Sequence, residues 1–236
     1  MFEFLKNTKK KNKNHSKSLN HRILKTDIYK EPLNGEESIL FGCGCFWGAE
    51  KCFWKLPGVI TTSVGYAGGN FDNPTYEQVC GGYTGHTEVV KVVWDPEKID
   101  ISDLLKMFWE CHNPTQKNRQ GNDTGTQYRS AIYYKDEKFE NIIFNSKESY
   151  QRSLKENDLG NIETEIKKLN DYYFAESYHQ QYLSIDGSRQ YCSAAPTNIK
   201  LNKFDGSNYK LNQNVWDEFD WTIDKCVLRS DNNPIK

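Results

Sequence analysis

The sequence predicts an α+β fold: a two-layer sandwich with a ferredoxin-like β-α-β-β-α-β core and extended loops. Three observations carry that expectation. Short apolar or β-branched runs alternate with helix-spaced apolar positions between residues 38 and 169. Their order reads β-α-β, β-α-β and then α-β. No internal repeat breaks it.

Ser38 to Phe41 is short and apolar, the mark of a buried strand, and Gly42 and Gly44 then break it. A helix follows, with Ala49, Cys52, Phe53 and Leu56 at helical spacing and Pro57-Gly58 as its stop. Val59 to Tyr66 alternates as a strand, and Gly68-Gly69 with Asn73-Pro74 makes the next segment a loop. The run TEVVKVVW from Thr87 to Trp94 is β-branched and closes at Asp95-Pro96. Ser102 is expected to cap a helix whose apolar face includes Leu105, Phe108 and Trp109. Residues 113 to 127 are fifteen residues of turn chemistry, and a loop of that length usually has a function or is disordered. A strand over Tyr128 to Lys135, a helix over 136 to 157, a strand over 161 to 169 and a helix over 174 to 185 complete the pattern.

The chain has 236 residues, enough for one domain with appendages. The boundaries are read as a basic, disordered arm over 1–35, a catalytic domain over 36–199 and an extension over 200–236. Residues 1 to 26 carry seven Lys and one Arg against Glu3 alone, in a matrix of Asn and Ser. The extension is polar with scattered aromatics, and reads as a segment packed across the core or as a partner-binding tail. Overall, 31 basic residues face 32 acidic ones, so no global field argues for nucleic acid or a membrane surface as partner. No run approaches the eighteen apolar residues of a membrane span, and the arm resembles neither a secretory signal nor an Arg-rich presequence. A monomeric cytoplasmic protein is expected, with a mitochondrial location less so.

Seven cysteines in a chain without an export signal argue against a static disulfide framework. Cys45 stands where the first helix begins, and there the unpaired N–H groups and the positive end of the macrodipole favour an anion. An ordinary thiol is roughly 3 per cent thiolate at pH 7, so a lowered pKa turns Cys45 into a candidate nucleophile. Cys43 lies on the strand side of Gly44 and reads as a packing residue, with an accessory redox thiol as the other reading. Cys52, Cys80 and Cys111 fall within element patterns and also read as packed. A zinc site on Cys43 and Cys45 lacks a second ligand pair in sequence. A papain-like arrangement would need C-G-S/A-C-W, and this chain reads C-G-C-F-W, one residue short.

The runs GCFWGAE (44 to 50), LPGV (56 to 59), VGYAGG (64 to 69), NPTYEQVC (73 to 80), TGHTEVV (84 to 90), QGNDTGTQYRSAIY (120 to 133) and YHQQYL (178 to 183) together resemble the A-type peptide methionine sulfoxide reductase family. The seven blocks follow one another over about 145 residues in the order the family shows. The resemblance implies a ferredoxin-like α+β core and reduction of the S epimer of methionine sulfoxide, free or in proteins, with no bound cofactor, no metal and thioredoxin as external reductant. It casts Cys45 as the nucleophile that ends as a sulfenic acid. Glu88 becomes the acid, which burial must raise if it is to carry a proton at pH 7. Tyr76 and Tyr128 would hydrogen-bond the sulfoxide oxygen, Asp123 would organise the acid, and Phe46 and Trp47 would form the wall for the substrate methyl group. His86 and His179 are read as structural.

Cys192 follows the turn-forming Asp186-Gly187-Ser188, on a segment read as mobile enough to bring a resolving thiol to Cys45. Many relatives carry a Gly-rich run and a second recycling cysteine soon afterwards. This chain has Tyr191-Cys192-Ser193-Ala194-Ala195-Pro196, and the next thiol is Cys226. A cycle of Cys45 and Cys192 is therefore expected, with Cys226 as a possible recycling thiol, and Asn113 replaces the Asp that relatives often have. The competing readings are a cysteine-nucleophile hydrolase or acyltransferase, and a noncatalytic binder of methionine sulfoxide.

Overall fold

A computed structural model describes residues 18–223 and 226–236, the side chain of Cys226 excepted. The first seventeen residues of the basic arm and the recycling role of Cys226 therefore lie outside the described residues.

Four strands form the centre of the sheet: β1 (Glu37–Cys43), β2 (Val59–Ala67), β3 (Thr87–Trp94) and, after a two-residue hairpin β4 (Arg119–Gln120) and β5 (Asp123–Thr124), strand β6 (Ser130–Tyr134). They lie in the order β6-β1-β3-β2, all antiparallel to their neighbours. Helix α1 (Phe46–Trp54) joins β1 to β2, and α3 (Ile101–Glu110) joins β3 towards β6. This is the ferredoxin-like arrangement expected from the element order. Two further strands extend the edges: β7 (Glu165–Lys168), parallel to β6 after helix α4 (Glu140–Glu156), and β8 (Tyr172–Phe174), antiparallel to β2.

Strand alternation decides which face each side chain takes. Ile39, Phe41 and Cys43 of β1, Val90, Val92 and Trp94 of β3 and Ile132 of β6 join Phe46, Phe53, Leu104, Leu105 and Phe108 in one core under the helices. Phe41 stacks between Phe53 and Phe108, with ring centroids 4.8 and 5.2 Å away. Leu40, Val89, Ala131 and Tyr133 form a smaller cluster on the opposite face. Glu88 has the parity of Val90 and Val92, so its carboxyl points into the helix layer.

Several elements differ from expectation. Helix α3 is capped by Asp100 rather than Ser102: Asp100 accepts from Ser102 N, and Asp103 accepts from Asp100 N. The strand expected over 161–169 shortens to β7. A one-turn helix α2 (Tyr76–Cys80) interrupts the glycine-rich loop, held by a capping box of Thr75 and Gln78. The helix expected over 174–185 does not form. After β8 the chain makes a turn and a short 3₁₀ segment at Tyr182–Ser184, with Gln181 left-handed at φ 49°. The cause is tertiary: Gln180 bonds both the N–H and the carbonyl of Val64, and Gln181 bonds Glu50, so the segment is pinned to β2 and α1 instead of winding on itself.

Residues 18–35, read from composition as part of a disordered arm, are folded: His21 and Ile28 are buried, and the His21 Nε2 lies 2.9 Å from Thr62 Oγ1. The C-terminal chain, with α5 (Gln213–Asp217) and α6 (Cys226–Arg229), runs back over α3 and α1. Lys210 N donates to Asp103, Lys51 Nζ to Ser230 O at 2.8 Å, and Trp54 Nε1 to Asn232 O at 3.0 Å. Among the described residues no helix is long and apolar enough to cross a membrane.

Candidate active site

Cys45 occupies the N-cap position of α1, half-buried, directly after Gly44. Gly44 has φ 87°, and a side chain there would meet Gln120 Cβ at 2.5 Å, so both conformation and space require glycine. The turn it makes carries the chain from strand into helix and leaves the Cys45 sulfur at the open N-terminal end. From the neighbouring central strand Glu88 reaches the same end, where its Oε2 accepts from Phe46 N at 3.0 Å. Burial raises the Glu88 carboxyl to about 8, against the pull of that N–H. Glu88 therefore holds its proton around neutral pH, as an acid catalyst must.

The thiol itself departs from expectation. Burial first, then the proximity of Glu88, push Cys45 well above the ordinary thiol range, although a backbone N–H at Trp47 draws it down. The helix end is present, but desolvation outweighs it. With two acids facing each other in a dry site, ionising one opposes ionising the other.

Tyr76 and Tyr128 stand on either side, both half-buried. Burial is the main cause that raises both phenols, and Glu88 adds to it, so both remain hydroxyl donors. Asp123, on the β4-β5 hairpin, accepts from Tyr191 Oη at 2.5 Å and lies close enough to Glu88 to raise it further. Trp47 is half-buried and stacks on Tyr182, with ring centroids 3.9 Å apart and 15° between planes. Phe46 is buried, with His179 at 5.2 Å, and forms the floor rather than an open wall. The structure thus brings together Cys45, Glu88, Tyr76, Tyr128, Asp123, Phe46 and Trp47.

Cys192 is buried against α1. A side chain added at Gly48 would lie 2.6 Å from the Cys192 sulfur, so glycine is what lets that thiol approach the helix one turn beyond Cys45. The expectation of a mobile approach needs correction, because the segment is irregular but pinned. Ala195 N donates to Gln120 Oε1, and a side chain at Gly121 would strike Ser193 O at 2.1 Å.

Other residues complete the site without having been singled out from sequence. Glu176 accepts from Tyr76 N at 2.9 Å and from Tyr66 Oη at 2.8 Å, holding the start of α2 beside β2. Glu50 accepts from Gln181 N, Gln181 Nε2 and Thr62 Oγ1, which fixes the turn that carries His179 and Tyr182. His179 is lowered by burial to about 4 and is neutral; its Nδ1 accepts from Trp47 Nε1 at 3.1 Å and so sets the indole plane. His86 accepts from Gly69 N and braces the glycine loop, a structural role as read. Cys80, expected to be packed, is exposed, and its sulfur lies in hydrogen-bond contact with the Tyr76 hydroxyl. The short α2 presents it outward. A glutamate two residues before Tyr178 offers no pattern that would reveal Glu176, whereas Glu50 does lie within the GCFWGAE run.

A thiol at a helix N-terminus, beside a proton-holding carboxyl and two hydroxyls on a ferredoxin-like sheet, defines a cysteine-dependent enzyme that combines nucleophile and acid. The comparisons with known proteins make the class specific. The family described as peptide methionine sulfoxide reductase matches residues 37–212. Peptide methionine sulfoxide reductase MsrA of Vibrio cholerae is 52% identical over 179 residues, 76% of this chain and 84% of that protein. Peptide methionine sulfoxide reductase MsrA 1 of Synechocystis is 53% identical over 165 residues, 70% of this chain and 74% of its own. The solved methionine sulfoxide reductase A of Corynebacterium diphtheriae superposes with a TM-score of 0.67 at 42% identity, covering 79% of this chain and 91% of the other. The chain belongs to the peptide methionine sulfoxide reductase family.

Proposed function

We propose that this chain reduces the S epimer of methionine sulfoxide, free or within proteins, and is returned to its thiol form by thioredoxin. The observation that carries the reading is the pairing of the Cys45 sulfur with a Glu88 carboxyl raised to about 8 in one site. A sulfoxide oxygen leaves sulfur only when protonated, and a carboxylic acid that keeps its proton at pH 7 can supply it.

In the first step Cys45 sulfur attacks the substrate sulfur while Glu88 gives its proton to the oxygen. The S–O bond breaks, the released hydroxide adds to the Cys45 sulfur as the transient S–S bond cleaves, and methionine leaves with Cys45 as a sulfenic acid. The thiol's own proton replaces the one Glu88 gave up, so the step transfers an oxygen atom with no net proton. This cycle tolerates a thiol with a raised pKa, because ionisation and proton donation occur against the same carboxyl. Tyr76 and Tyr128 hydrogen-bond the oxygen as charge develops. Trp47, with Phe46 beneath, packs the methyl group, and Asp123 orders Tyr191 at the rim.

In the second step the Cys192 sulfur displaces the sulfenic oxygen, giving a Cys45–Cys192 disulfide and water. The close seat of Cys192 on Gly48 supports this resolving role. Thioredoxin then reduces the disulfide by exchange, and Cys226 remains a candidate intermediary in that reduction. We take residues 36–199 as the catalytic unit, 200–236 as an extension that braces it, and the cytoplasm as the working compartment. Counting thiols lost after one equivalent of methionine sulfoxide, followed by peptide mapping, tests the cycle. Loss of two thiols and a Cys45–Cys192 cross-link is expected; full steady-state activity of Cys192→Ser with thioredoxin would refute the resolving role.

A further inference from the structure

Against α1, beside Cys52 and Cys192, three elements bring sulfur and nitrogen together. Cys43 ends β1, Cys111 caps the C-terminus of α3, and His112 follows it. One ligand atom from each of Cys43, Cys111 and His112 lies within 4.8 Å of the other two, and all three residues are buried. Cys111 is in side-chain hydrogen-bond contact with both Cys43 and Cys52. A small cavity of about 10 Å³ adjoins them, lined by Cys43, Cys52, Cys111 and Cys192 and roofed by Trp221 and Val227 of the C-terminal segment. That is room for the centre of a single water-sized atom.

The imidazole already has the tautomer that a ligand bound through Nε2 needs. Its Nδ1 lies 2.7 Å from Phe108 O, and a carbonyl can only accept, so the proton sits on Nδ1 and the lone pair on Nε2. Nε2 faces Ser130 Oγ at 2.7 Å, and Ser130 is paired with Cys43 across the β1/β6 ladder. The Ser130 hydroxyl has a second partner in Thr164 Oγ1, also at 2.7 Å, to which it can turn. A divalent cation held by two thiolates and a neutral imidazole makes an uncharged unit, and this removes most of the cost of burying it.

We propose that Cys43, Cys111 and His112 form a binding site for a thiophilic divalent cation, Zn²⁺, with its fourth coordination position facing the cavity. Two cysteines, one histidine and one open position is an established zinc donor set. Binding replaces the two S–H bonds with two metal–sulfur bonds and releases two protons to solvent, with no change of oxidation state. The site is separate from the Cys45 and Glu88 pair, and holds whether or not the proposed reduction does.

The test uses Co²⁺ as an optical probe on the full-length reduced protein. One equivalent is expected to give thiolate-to-metal charge-transfer absorption with tetrahedral ligand-field bands, displaced by Zn²⁺ with release of about two protons per ion. Cys45→Ser combined with Cys80→Ser, which removes the accessible thiols, should leave the spectrum and stoichiometry unchanged. Cys43→Ala and Cys111→Ser should each weaken binding at least about tenfold. X-ray absorption of the zinc-loaded wild type, which requires no variant to fold, should count two sulfurs and at least one imidazole nitrogen. Absence of one-equivalent binding, a spectrum lost with Cys45 and Cys80, or one retained without Cys43 would overturn the site and leave the three residues as core packing.

Discussion

Cys43 and Cys45 are two residues apart in sequence and belong to different regions of the molecule. Cys45 opens a helix beside Glu88, Tyr76 and Tyr128, half-exposed at the mouth of the site. Cys43 is buried in the core, in a cluster with Cys111 and His112. Gly44, at φ 87°, makes the divergence possible. The contrast shows that a helix terminus alone does not make a thiol reactive. Cys43 is buried, whereas Cys45 is half-buried at the helix start where Glu88 holds its proton.

The largest expected effect that tests this contrast is Cys45→Ser, which should abolish methionine formation even in a single turnover, while Cys43→Ser retains it. Reduction by Cys45→Ser would move the nucleophile elsewhere. Next, Glu88→Gln should keep the acceptor for Phe46 N–H but lose the proton, lowering the first-turnover rate by about 10²- to 10⁴-fold. The wild-type first-turnover rate should fall as pH rises through about 8, where Glu88 loses its proton, and the Glu88→Gln profile should lack that limb. The same group bears on stability. Its folded pKa lies above the unfolded value, so its stabilising contribution is complete in acid, below the unfolded carboxylate range, and is lost as pH rises through about 8. Denaturant melts of wild type and Glu88→Gln across that window should therefore converge at low pH.

A smaller effect is expected at the seam between the two regions. Gly48→Ala places a carbon about where the Cys192 sulfur now packs, costing about 1–3 kcal/mol and slowing turnover with thioredoxin more than it slows the first turnover. Equal slowing of both would disconnect Cys192 from recycling. Least affected should be Cys52→Ala, a small truncation in the sealed cluster worth about 1 kcal/mol in thermal melts, with first-turnover kinetics within about twofold of wild type.

How far the sequence foretold these regions varies residue by residue. Glu88 was readable only through the resemblance carried by the TGHTEVV block, because a Glu that opens a strand reads on its own as a solvated rim residue. Cys45 was readable too, since Gly44 and the helical spacing after it place a thiol at a helix start. The direction of its pKa was not, because desolvation depends on what closes over the site. Nor was Glu176, which holds Tyr76 from 100 residues away. The Gln180-Gln181 turn was missed because its helical pattern competes with bonds to Val64 and Glu50 that exist only in the folded chain.

By itself the sequence determined the element order, the face each strand residue takes and the residue types gathered for thiol chemistry, since all of these follow from local periodicity and turn stereochemistry. Tertiary structure decided which groups are stripped of water and which meet. Burial and distance set the proton on Glu88, the seat of Cys192 on Gly48 and the separation of two neighbouring thiols into a reactive and a sealed one, and neither quantity is a property of short stretches of chain.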